Sequence, residues 1–331
     1  MNNRLMPKLT LNNQTYLCHA GATVLDTLLT NKVDIAYGCK QGDCQSCLIR
    51  SLNQTPPIDA QKGLKETQQA QNYFLACQCK PTEDMELALV TEEARFIEST
   101  VVSLKPLNPE TIELVLEYKD ELTFKPGQFI NLKRDDGLVR SYSIANLPSA
   151  EKRLEFHIRK LPNGGFSEWA HDHLNSGDVV SLQEPAGDCF YISGKPDQPL
   201  LLVGTGTGLA PLAGIVRDAL KQGHTGPIHL FHGSRDIAGL YWVDEMKALA
   251  ENHANVSYHP CLSGSDTPLE YTAGRVHVEA LKAHPKLQGW RVFLCGHPDM
   301  VKETQKKAYL AGASLKEIYA DAFTVLTKKS E

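Results

Sequence analysis

The sequence predicts a multidomain protein of mixed α+β and α/β class, built from three consecutive domains. Three observations support this fold class: a hairpin and helix near the start, short alternating strands in the middle, and apolar strands separated by helical stretches towards the end. A chain of 331 residues with 42% hydrophobic residues can bury several separate cores. We therefore place the domains at residues 1–92, 95–193 and 198–331.

The first domain begins with a predicted β-hairpin and a predicted helix. Two short alternating segments flank the pair Asn12-Asn13, which favours a tight turn. Thr23 predicts a helix start, because Asp26 stands three residues later, where it can complete a capping box. The segment MELALV predicts another strand, close to the end of the domain.

The middle and last domains differ in their strand patterns. Segments such as TIELVLEY and RLEFHIRK alternate apolar with polar residues and are separated by turn formers, which predicts a small antiparallel barrel. The later strands LLLVG, IHLFHG, VSYHP, RVFLCG and EIYADAF alternate with helical stretches, which predicts a doubly wound parallel sheet. The polar stretch GKPDQ, residues 194–198, is the expected linker.

Composition limits the expected partners and location. A formal net charge of -5 argues against nucleic acid as the main partner, because phosphate binding needs a basic surface. We expect no membrane partner, because the chain has no run of roughly 18 apolar residues, and its first residues do not resemble a secretory signal. We expect a cytoplasmic protein, in which clustered cysteines indicate a metal or redox site more often than disulfides.

The stretch GCKQGDCQSC predicts an iron–sulfur site. Cys39, Cys44 and Cys47 follow the spacing Cys-x4-Cys-x2-Cys, and a fourth candidate, Cys77, lies in the context LACQC. This is the plant-type ferredoxin spacing, in which four thiolates hold a 2Fe-2S cluster. Glycines within the stretch allow backbone amides to point at the sulfurs. A zinc site, or a redox-active pair formed by Cys44 and Cys47, is the alternative.

The fourth ligand could be either of two cysteines. Cys77 and Cys79 would point the same way if both lay in one strand. We choose Cys77 as the metal ligand.

A second motif, RSYSIAN, suits a flavin. Its first four residues combine a cation, an aromatic face and two hydroxyls, which could bind a diphosphate, stack on a ring and donate to ring nitrogens. The alternative is an exposed edge strand. Further on, Gly164, Gly165 and Ser167 could supply anion-binding groups at a helix start.

A third motif, LLVGTGTGLAP, is glycine-rich but fails the dinucleotide fingerprint G-x-G-x-x-G, because Leu209 occupies the third glycine position. A strand that ends in glycines before a helix still lets the backbone approach a diphosphate.

Together these motifs resemble the ferredoxin-NADP reductase type of flavin-dependent oxidoreductase. The resemblance covers nearly the whole chain and is specific to oxygenase reductases with an N-terminal plant-type ferredoxin domain, similar to naphthalene- and benzoate-dioxygenase reductases. It implies a β-grasp ferredoxin domain, an antiparallel β-barrel that binds FAD, and a C-terminal nucleotide-binding domain.

The resemblance also implies which residues bind FAD. Arg140 would bind the diphosphate, Tyr142 would pack on the flavin, and Ser143 would approach the reactive ring nitrogen as a catalytic residue. The other cofactor-binding residues on the barrel would be Ser141, the second flavin segment His157, Ile158, Arg159 and Lys160, and the phosphate-binding turn Gly164, Gly165 and Ser167.

The same resemblance implies a nicotinamide site in the last domain. The motif G-x-G-x-x-P contributes Gly206, Thr207, Gly208 and Pro211, and the motif CGHPDM contributes Cys295, Gly296, Pro298 and Met300. Cys295 would lie beside the hydride-donating ring, and Phe323 would cover the flavin; an inert buried thiol and a core phenylalanine are the alternatives.

The coenzyme should be NADH. In relatives that use NADPH, a Ser-Arg pair binds the 2′-phosphate, whereas here Ser263 is followed by Gly264. Ser234 and Arg235 lie nearby in the sequence of the domain, and the arginine keeps NADPH possible.

The implied function is electron transfer from NADH through FAD and the 2Fe-2S cluster to the Rieske or other iron centre of a terminal oxygenase. That partner would approach the cluster loop around Lys40, Gln41 and Gln45. The alternatives are a deoxysugar-pathway reductase, a direct reductase of free flavins or ferric chelates, and a non-enzymatic iron–sulfur sensor.

Overall fold

The computed structural model describes residues 6–42, 44–89 and 96–323. The chain divides into two compact units, residues 1–93 and 94–331. The expected boundary at residues 92–95 lies outside the described residues.

The first unit is a five-stranded mixed sheet with a helix packed on it. Its strands are β1 Lys8–Leu11, β2 Gln14–Leu17, β3 Leu48–Ser51, β4 Tyr73–Leu75 and β5 Met85–Leu89, and its helices are α1 Val24–Thr30 and α2 Glu66–Ala70. The strand order is β2-β1-β5-β3-β4. Strands β1 and β5 are parallel, and the other neighbours are antiparallel.

The hairpin and helix predicted at the start of the chain are confirmed. Strand β1 pairs with β2 through a turn in which Asn12 and Asn13 both have positive φ, as the favoured two-residue turn requires. The Thr23 hydroxyl accepts the Asp26 backbone N–H, and the Asp26 carboxylate accepts the Thr23 backbone N–H. Helix α1 therefore starts at a fixed point and buries its apolar face in the core of the sheet.

The second unit begins with an antiparallel barrel. Its strands are β6 Ile97–Asn108, β7 Thr111–Tyr118, β8 Phe129–Lys133, β9 Val139–Ser143, β10 Arg153–Arg159 and β11 Val179–Leu182, and α3 Gly165–Asp172 lies between the last two. The strand order is β10-β7-β6-β11-β8-β9. A bridge between Ile144 and Phe156 joins the end of β9 to β10, so the sheet closes on itself.

A six-stranded parallel sheet completes the second unit. Its strands are β12 Leu200–Thr205, β13 Ile228–Ser234, β14 Val256–Leu262, β15 Thr272–Ala273, β16 Arg291–Gly296 and β17 Ile318–Ala322. The helices between them are α4 Leu209–Lys221, α5 Val243–Asn252, α6 Val276–Ala283 and α7 Pro298–Leu310. The strand order β15-β14-β13-β12-β16-β17 reverses direction between β12 and β16, where doubly wound sheets bind ligands.

The expected linker at residues 194–198 is hydrogen-bonded to the loop that precedes β13. The backbone N–H groups of Thr225 and Gly226 donate to the Pro196 carbonyl at 2.7 and 2.8 Å. Across all described residues, no helix has both the length and the apolar character needed to cross a bilayer.

A buried arginine links the segment that follows the last barrel strand to two strands of the parallel sheet. Arg291, at the start of β16, is 1% exposed; its Nε donates to Glu317 Oε2 at 2.6 Å and its guanidinium also donates to the Ile192 carbonyl. Burial favours a higher Glu317 pKa, but the hydrogen bonds from Arg291 and Lys195 outweigh it and lower that pKa. The carboxylate is therefore the charged partner that keeps the buried guanidinium satisfied.

Replacing Glu317 by Gln should destabilise the second unit by about 3–5 kcal/mol, because it removes the carboxylate charge that is hydrogen-bonded to a buried guanidinium. The free energy of unfolding in urea can be followed by tryptophan fluorescence, since Trp169, Trp242 and Trp290 all lie in this unit. The exposed, ion-paired Glu121 provides the control, Glu121→Gln, which should change stability little. Equal effects of the two variants would contradict this account of Arg291.

Candidate functional site

The cysteine loop places two exposed thiols among backbone N–H groups. The N–H groups of Gln41 and Cys44 donate to Cys39 Sγ at 3.3 and 3.4 Å, and the Cys39 N–H donates to Cys44 Sγ at 3.4 Å. Hydrogen bonds from the Ser46 hydroxyl and from the Cys39 amide lower the Cys44 pKa to about 6. The loop therefore stabilises thiolate, the form that binds metal.

The other two candidate ligands lie together in a more buried environment. Cys47 and Cys77 are 3% and 7% exposed. Burial raises the Cys47 pKa to about 11, and the adjacent Cys77 thiol contributes to that rise. A buried Cys47 thiol beside a second buried cysteine fits a site whose metal supplies the positive charge.

Cys79 lies in the hydrophobic core of the first unit. Strand β4 ends at Leu75, and residues 76–78 form a turn, so Cys77 and Cys79 do not share a strand face. Cys79 is 0% exposed and its sulfur contacts Met85 Sδ at 3.9 Å. Burial, together with the nearby Cys18, raises the Cys79 pKa to about 12.

The donor set fits a 2Fe-2S cluster. Gly42 of the loop, with φ of +93°, lies against Gln78, since a Cβ on Gly42 would stand 3.1 Å from Gln78 Cγ. This contact brings the loop against the turn that carries Cys77. Four thiols with N–H donors directed at their sulfurs match four-cysteine ligation.

The predicted flavin segment RSYS, residues 140–143, lies in strand β9 of the barrel. The next residue, Ile144, is buried in the barrel core. The Tyr142 ring lies 5.4 Å from the Phe166 ring, and burial raises the Tyr142 pKa above its usual range. Ser141 is exposed and its hydroxyl donates to Asn131 Oδ1, while the half-buried Arg140 guanidinium donates to the Val139 carbonyl. A cation, hydroxyls and an aromatic ring on one strand fit a flavin dinucleotide.

Ser143 joins this strand to the last strand of the parallel sheet. Its hydroxyl donates to Asp321 Oδ2 at 2.9 Å. Burial and the neighbouring Asp188 raise the Asp321 pKa, and the bond from Ser143 opposes that rise. Sequence reasoning missed Asp321, whose position in EIYADAF gives no signal without the fold.

The second predicted flavin segment, on β10, divides into buried and exposed side chains. His157 is buried, with Nδ1 2.9 Å from the Tyr241 hydroxyl and Nε2 3.0 Å from Glu155 Oε1. Ile158 belongs to the barrel core. Arg159 and Lys160 form ion pairs with Glu110 and Asp172 at the surface.

The predicted phosphate-binding turn precedes α3. Gly164 is the residue before the helix and Gly165 is its first residue. The buried Ser167 hydroxyl accepts the Leu161 N–H and donates to the Gly164 carbonyl, so it holds the turn in shape. The helix start itself supplies N–H groups suited to an anion.

The nicotinamide motifs meet at the point where the sheet reverses strand order. The segment from Gly206 through Thr207 to Gly208 follows β12, and the buried Pro211 lies in the first turn of α4. A Cβ on Gly208 would stand 2.3 Å from the Cys295 carbonyl oxygen, so only glycine allows the two strand ends to approach. This close approach leaves backbone groups available to a dinucleotide.

Cys295 is 0% exposed, and its Sγ lies 3.7 Å from Cys189 Sγ. Burial and the Cys189 thiol raise the Cys295 pKa. Cys189, like Asp321, was missed, because nothing in its sequence context indicates a contact with β16.

The rest of the CGHPDM motif builds the start of α7. Pro298 is the first helix residue after Gly296 and His297, and Met300 is 6% exposed within the core. The half-buried Phe323 follows β17, and its N–H donates to the Gly296 carbonyl at 2.8 Å. Phe323 therefore stands beside the end of the nicotinamide motif.

Comparison with known proteins agrees with this architecture. Residues 9–82 match the 2Fe-2S iron-sulfur cluster binding domain family, residues 98–191 the oxidoreductase FAD-binding domain, and residues 202–306 the oxidoreductase NAD-binding domain. The chain is thus an NAD-dependent oxidoreductase that carries FAD and a 2Fe-2S cluster.

Full-length relatives define the family more closely. The chain is 34% identical, over 94% of its length and 96% of the relative's, to the reductase component of a naphthalene 1,2-dioxygenase system from Pseudomonas putida. It is 32% identical, over 93% of its length and 95% of the relative's, to the reductase subunit of an aromatic O-demethylase from Amycolatopsis. The chain belongs to the family of oxygenase reductase components.

Solved structures give the same result. A cytochrome P450 reductase from Amycolatopsis superimposes with a TM-score of 0.68 at 29% identity, covering 96% of this chain and 99% of that one. The ferredoxin reductase of carbazole 1,9a-dioxygenase gives a TM-score of 0.65 at 26% identity, covering 96% and 98%. The fold class predicted from the sequence is confirmed.

Serine substitutions should distinguish the two candidate fourth ligands. Cys77→Ser should lower iron content to about half or less and remove the iron–sulfur absorption, whereas Cys79→Ser should keep both and only lose core packing. Iron per protein and visible spectra after anaerobic purification provide the measurement. The reverse pattern would make Cys79 the ligand.

Asp321→Asn should stabilise the second unit more at pH 8 than at pH 4. Because the folded-state pKa of Asp321 is raised, ionising it costs stability, and that cost appears as pH rises above the unfolded pKa through the folded pKa. Urea unfolding followed by tryptophan fluorescence checks this.

Asp136→Asn is the control, because the pKa of Asp136 is shifted in the opposite direction to that of Asp321. Its hydrogen bonds with Arg134 lower the Asp136 pKa to about 2, so its stabilising contribution is present above the unfolded pKa and disappears as the pH falls towards 2. A pH-independent effect of Asp321→Asn would contradict the raised pKa.

Proposed function

We propose that this protein takes electrons from NADH, passes them through FAD to its 2Fe-2S cluster, and delivers them one at a time to a terminal oxygenase. The observation that carries the proposal is the presence of two different redox sites in one chain. One is the junction where Ser143 of β9 bonds to Asp321 of β17, and the other is a cysteine loop whose Cys39 and Cys44 are exposed. Such a chain suits a two-electron donor and a one-electron acceptor.

The chain's own residues would bind and orient the cofactors. Arg140 and the start of α3 would hold the FAD diphosphate, and Tyr142 would pack on the ring system. The Ser143 hydroxyl, held by Asp321, would face the reactive edge of the flavin. FAD supplies hydride acceptance and single-electron release, and the protein supplies position.

The metal ligands in this proposal are Cys39, Cys44, Cys47 and Cys77. The partner would dock at the loop that carries the first two, where Lys40 Nζ lies 5.0 Å above the ring of Tyr37, which is 50% exposed. A half-exposed aromatic ring beside an exposed ligand is a suitable contact for a protein partner, because aromatic side chains are enriched at protein interfaces.

NADH is the proposed coenzyme. The Gly264 N–H donates to the Arg235 carbonyl at 2.8 Å, and a Cβ on Gly264 would stand 2.6 Å from that oxygen. A larger side chain cannot enter without moving this backbone, so the local geometry disfavours an arginine at the position where NADPH-using relatives carry one. Ser234 and the exposed Arg235 would lie near the adenosine ribose.

We expect kcat/KM for NADH to exceed that for NADPH by about tenfold or more, because no cation at residue 264 offsets the 2′-phosphate charge. Arg235→Ala should reduce the remaining NADPH activity more than the NADH activity. Steady-state kinetics with ferricyanide as acceptor test both points. A preference for NADPH in the unaltered protein would overturn the coenzyme assignment.

Removing the cluster should leave electron transfer from NADH to FAD intact and block electron transfer from the protein to an oxygenase. In Cys39→Ser we expect ferricyanide reduction by NADH to stay within about twofold, and reduction of a purified Rieske-type oxygenase to fall about tenfold or more. Cys261→Ser, which replaces a buried cysteine of the nucleotide sheet, is the control. Unchanged oxygenase reduction in Cys39→Ser would favour a direct flavin-level reductase.

A further inference from the structure

The Gln78 side chain lies between the cysteine loop and a cluster ligand. Its Nε2 is 3.4 Å from Cys77 Sγ and 3.3 Å from the Cys77 carbonyl oxygen. On its other side, a Cβ added to Gly42 would stand 3.1 Å from Gln78 Cγ. The amide is therefore held where it can donate a hydrogen bond to the ligand sulfur.

The environment strengthens this hydrogen bond. Cys77 is 7% exposed, and a hydrogen bond to a charged acceptor in a water-poor site contributes more than one at the surface. Reduction of a four-thiolate cluster adds one negative charge, which spreads onto the ligand sulfurs. A donor to such a sulfur stabilises the reduced form more than the oxidised form.

We propose that Gln78 is a positioning residue that raises the reduction potential of the cluster by donating its side-chain N–H to Cys77 Sγ. The proposal rests on the proposed function in one respect, since it takes Cys77 as a ligand. It assigns a task to a side chain that is not itself a ligand.

Gln78 differs from the donors at the exposed end of the loop. Cys39 receives its hydrogen bonds from the backbone N–H groups of Gln41 and Cys44, which no substitution of those side chains removes. The bond to Cys77 comes from a side chain, so the residue at position 78 can change it without altering the ligand set.

The test is the cluster reduction potential of the full-length protein, measured by anaerobic redox titration monitored by electron paramagnetic resonance. Gln78→Met keeps the chain length and the contact with Gly42 but removes the N–H donor. We expect its reduction equilibrium to shift about tenfold towards the oxidised form, a potential about 59 mV lower for one electron. Gln78→Glu should lower the potential at least as far, because it places a carboxylate near the sulfur.

Gln54→Met is the matched control. Gln54 lies in the same unit, and its amide donates to the Asp84 carbonyl at 3.3 Å. Its cluster potential should remain that of the unaltered protein. Equal potentials in Gln78→Met and Gln54→Met, with both clusters intact, would overturn the proposal.

Iron content and the iron–sulfur spectrum separate this proposal from the ligand assignment. Loss of iron in both Gln78 variants would show that the side chain holds the loop in place and would overturn the tuning role. If instead Cys77→Ser keeps a normal cluster, the ligand assignment fails, whatever the Gln78 variants do.

Discussion

The hydrogen bond from Ser143 to Asp321 is the contact on which the proposed flavin–nicotinamide site depends. It joins strand β9 of the barrel to the last strand of the parallel sheet, two segments 178 residues apart in sequence. Because the barrel brings Ser143 and the sheet brings Asp321, neither half forms this site alone. The buried Arg291, which contacts both Glu317 and the Ile192 carbonyl, also links the end of the barrel to the parallel sheet.

A second constraint is a close approach at each proposed redox site that only glycine allows. At the parallel sheet, Gly208 allows the turn after β12 to lie against the end of β16. In the first unit, Gly42 allows the cysteine loop to lie on the Gln78 side chain. Where a side chain is missing, main-chain N–H groups can approach a bound anion or a thiolate more closely.

The sequence predicted the fold and the motifs well where the signal is local. Hairpin β1–β2 follows from Asn12-Asn13, helix α1 from its capping box, and the parallel sheet from the alternation of apolar strands with helices. Cysteine spacing indicated the cluster because three of the four candidate ligands lie on one loop.

Contacts between distant segments could not be predicted in this way. Asp321 and Cys189 gain their partners only when separate elements meet, and their sequence contexts are ordinary. Gln78 bonds to its neighbour Cys77, but its contact with Gly42 of the cysteine loop likewise appears only in the fold. The end of β4 at Leu75 also required the structure, since the apolar run continues towards Cys77. The full-length relatives and the fold identify the family. The proposed roles of individual residues rest on these tertiary contacts.

The most direct test is an anaerobic titration of the freshly purified protein with NADH, followed by visible absorption. The account predicts that the flavin bands and the iron–sulfur bands both bleach as NADH is added, because the electrons reach the cluster. Bleaching of the flavin alone, with the iron–sulfur bands present but unchanged or absent altogether, would contradict the central claim that the cysteine loop is the point where electrons leave the protein.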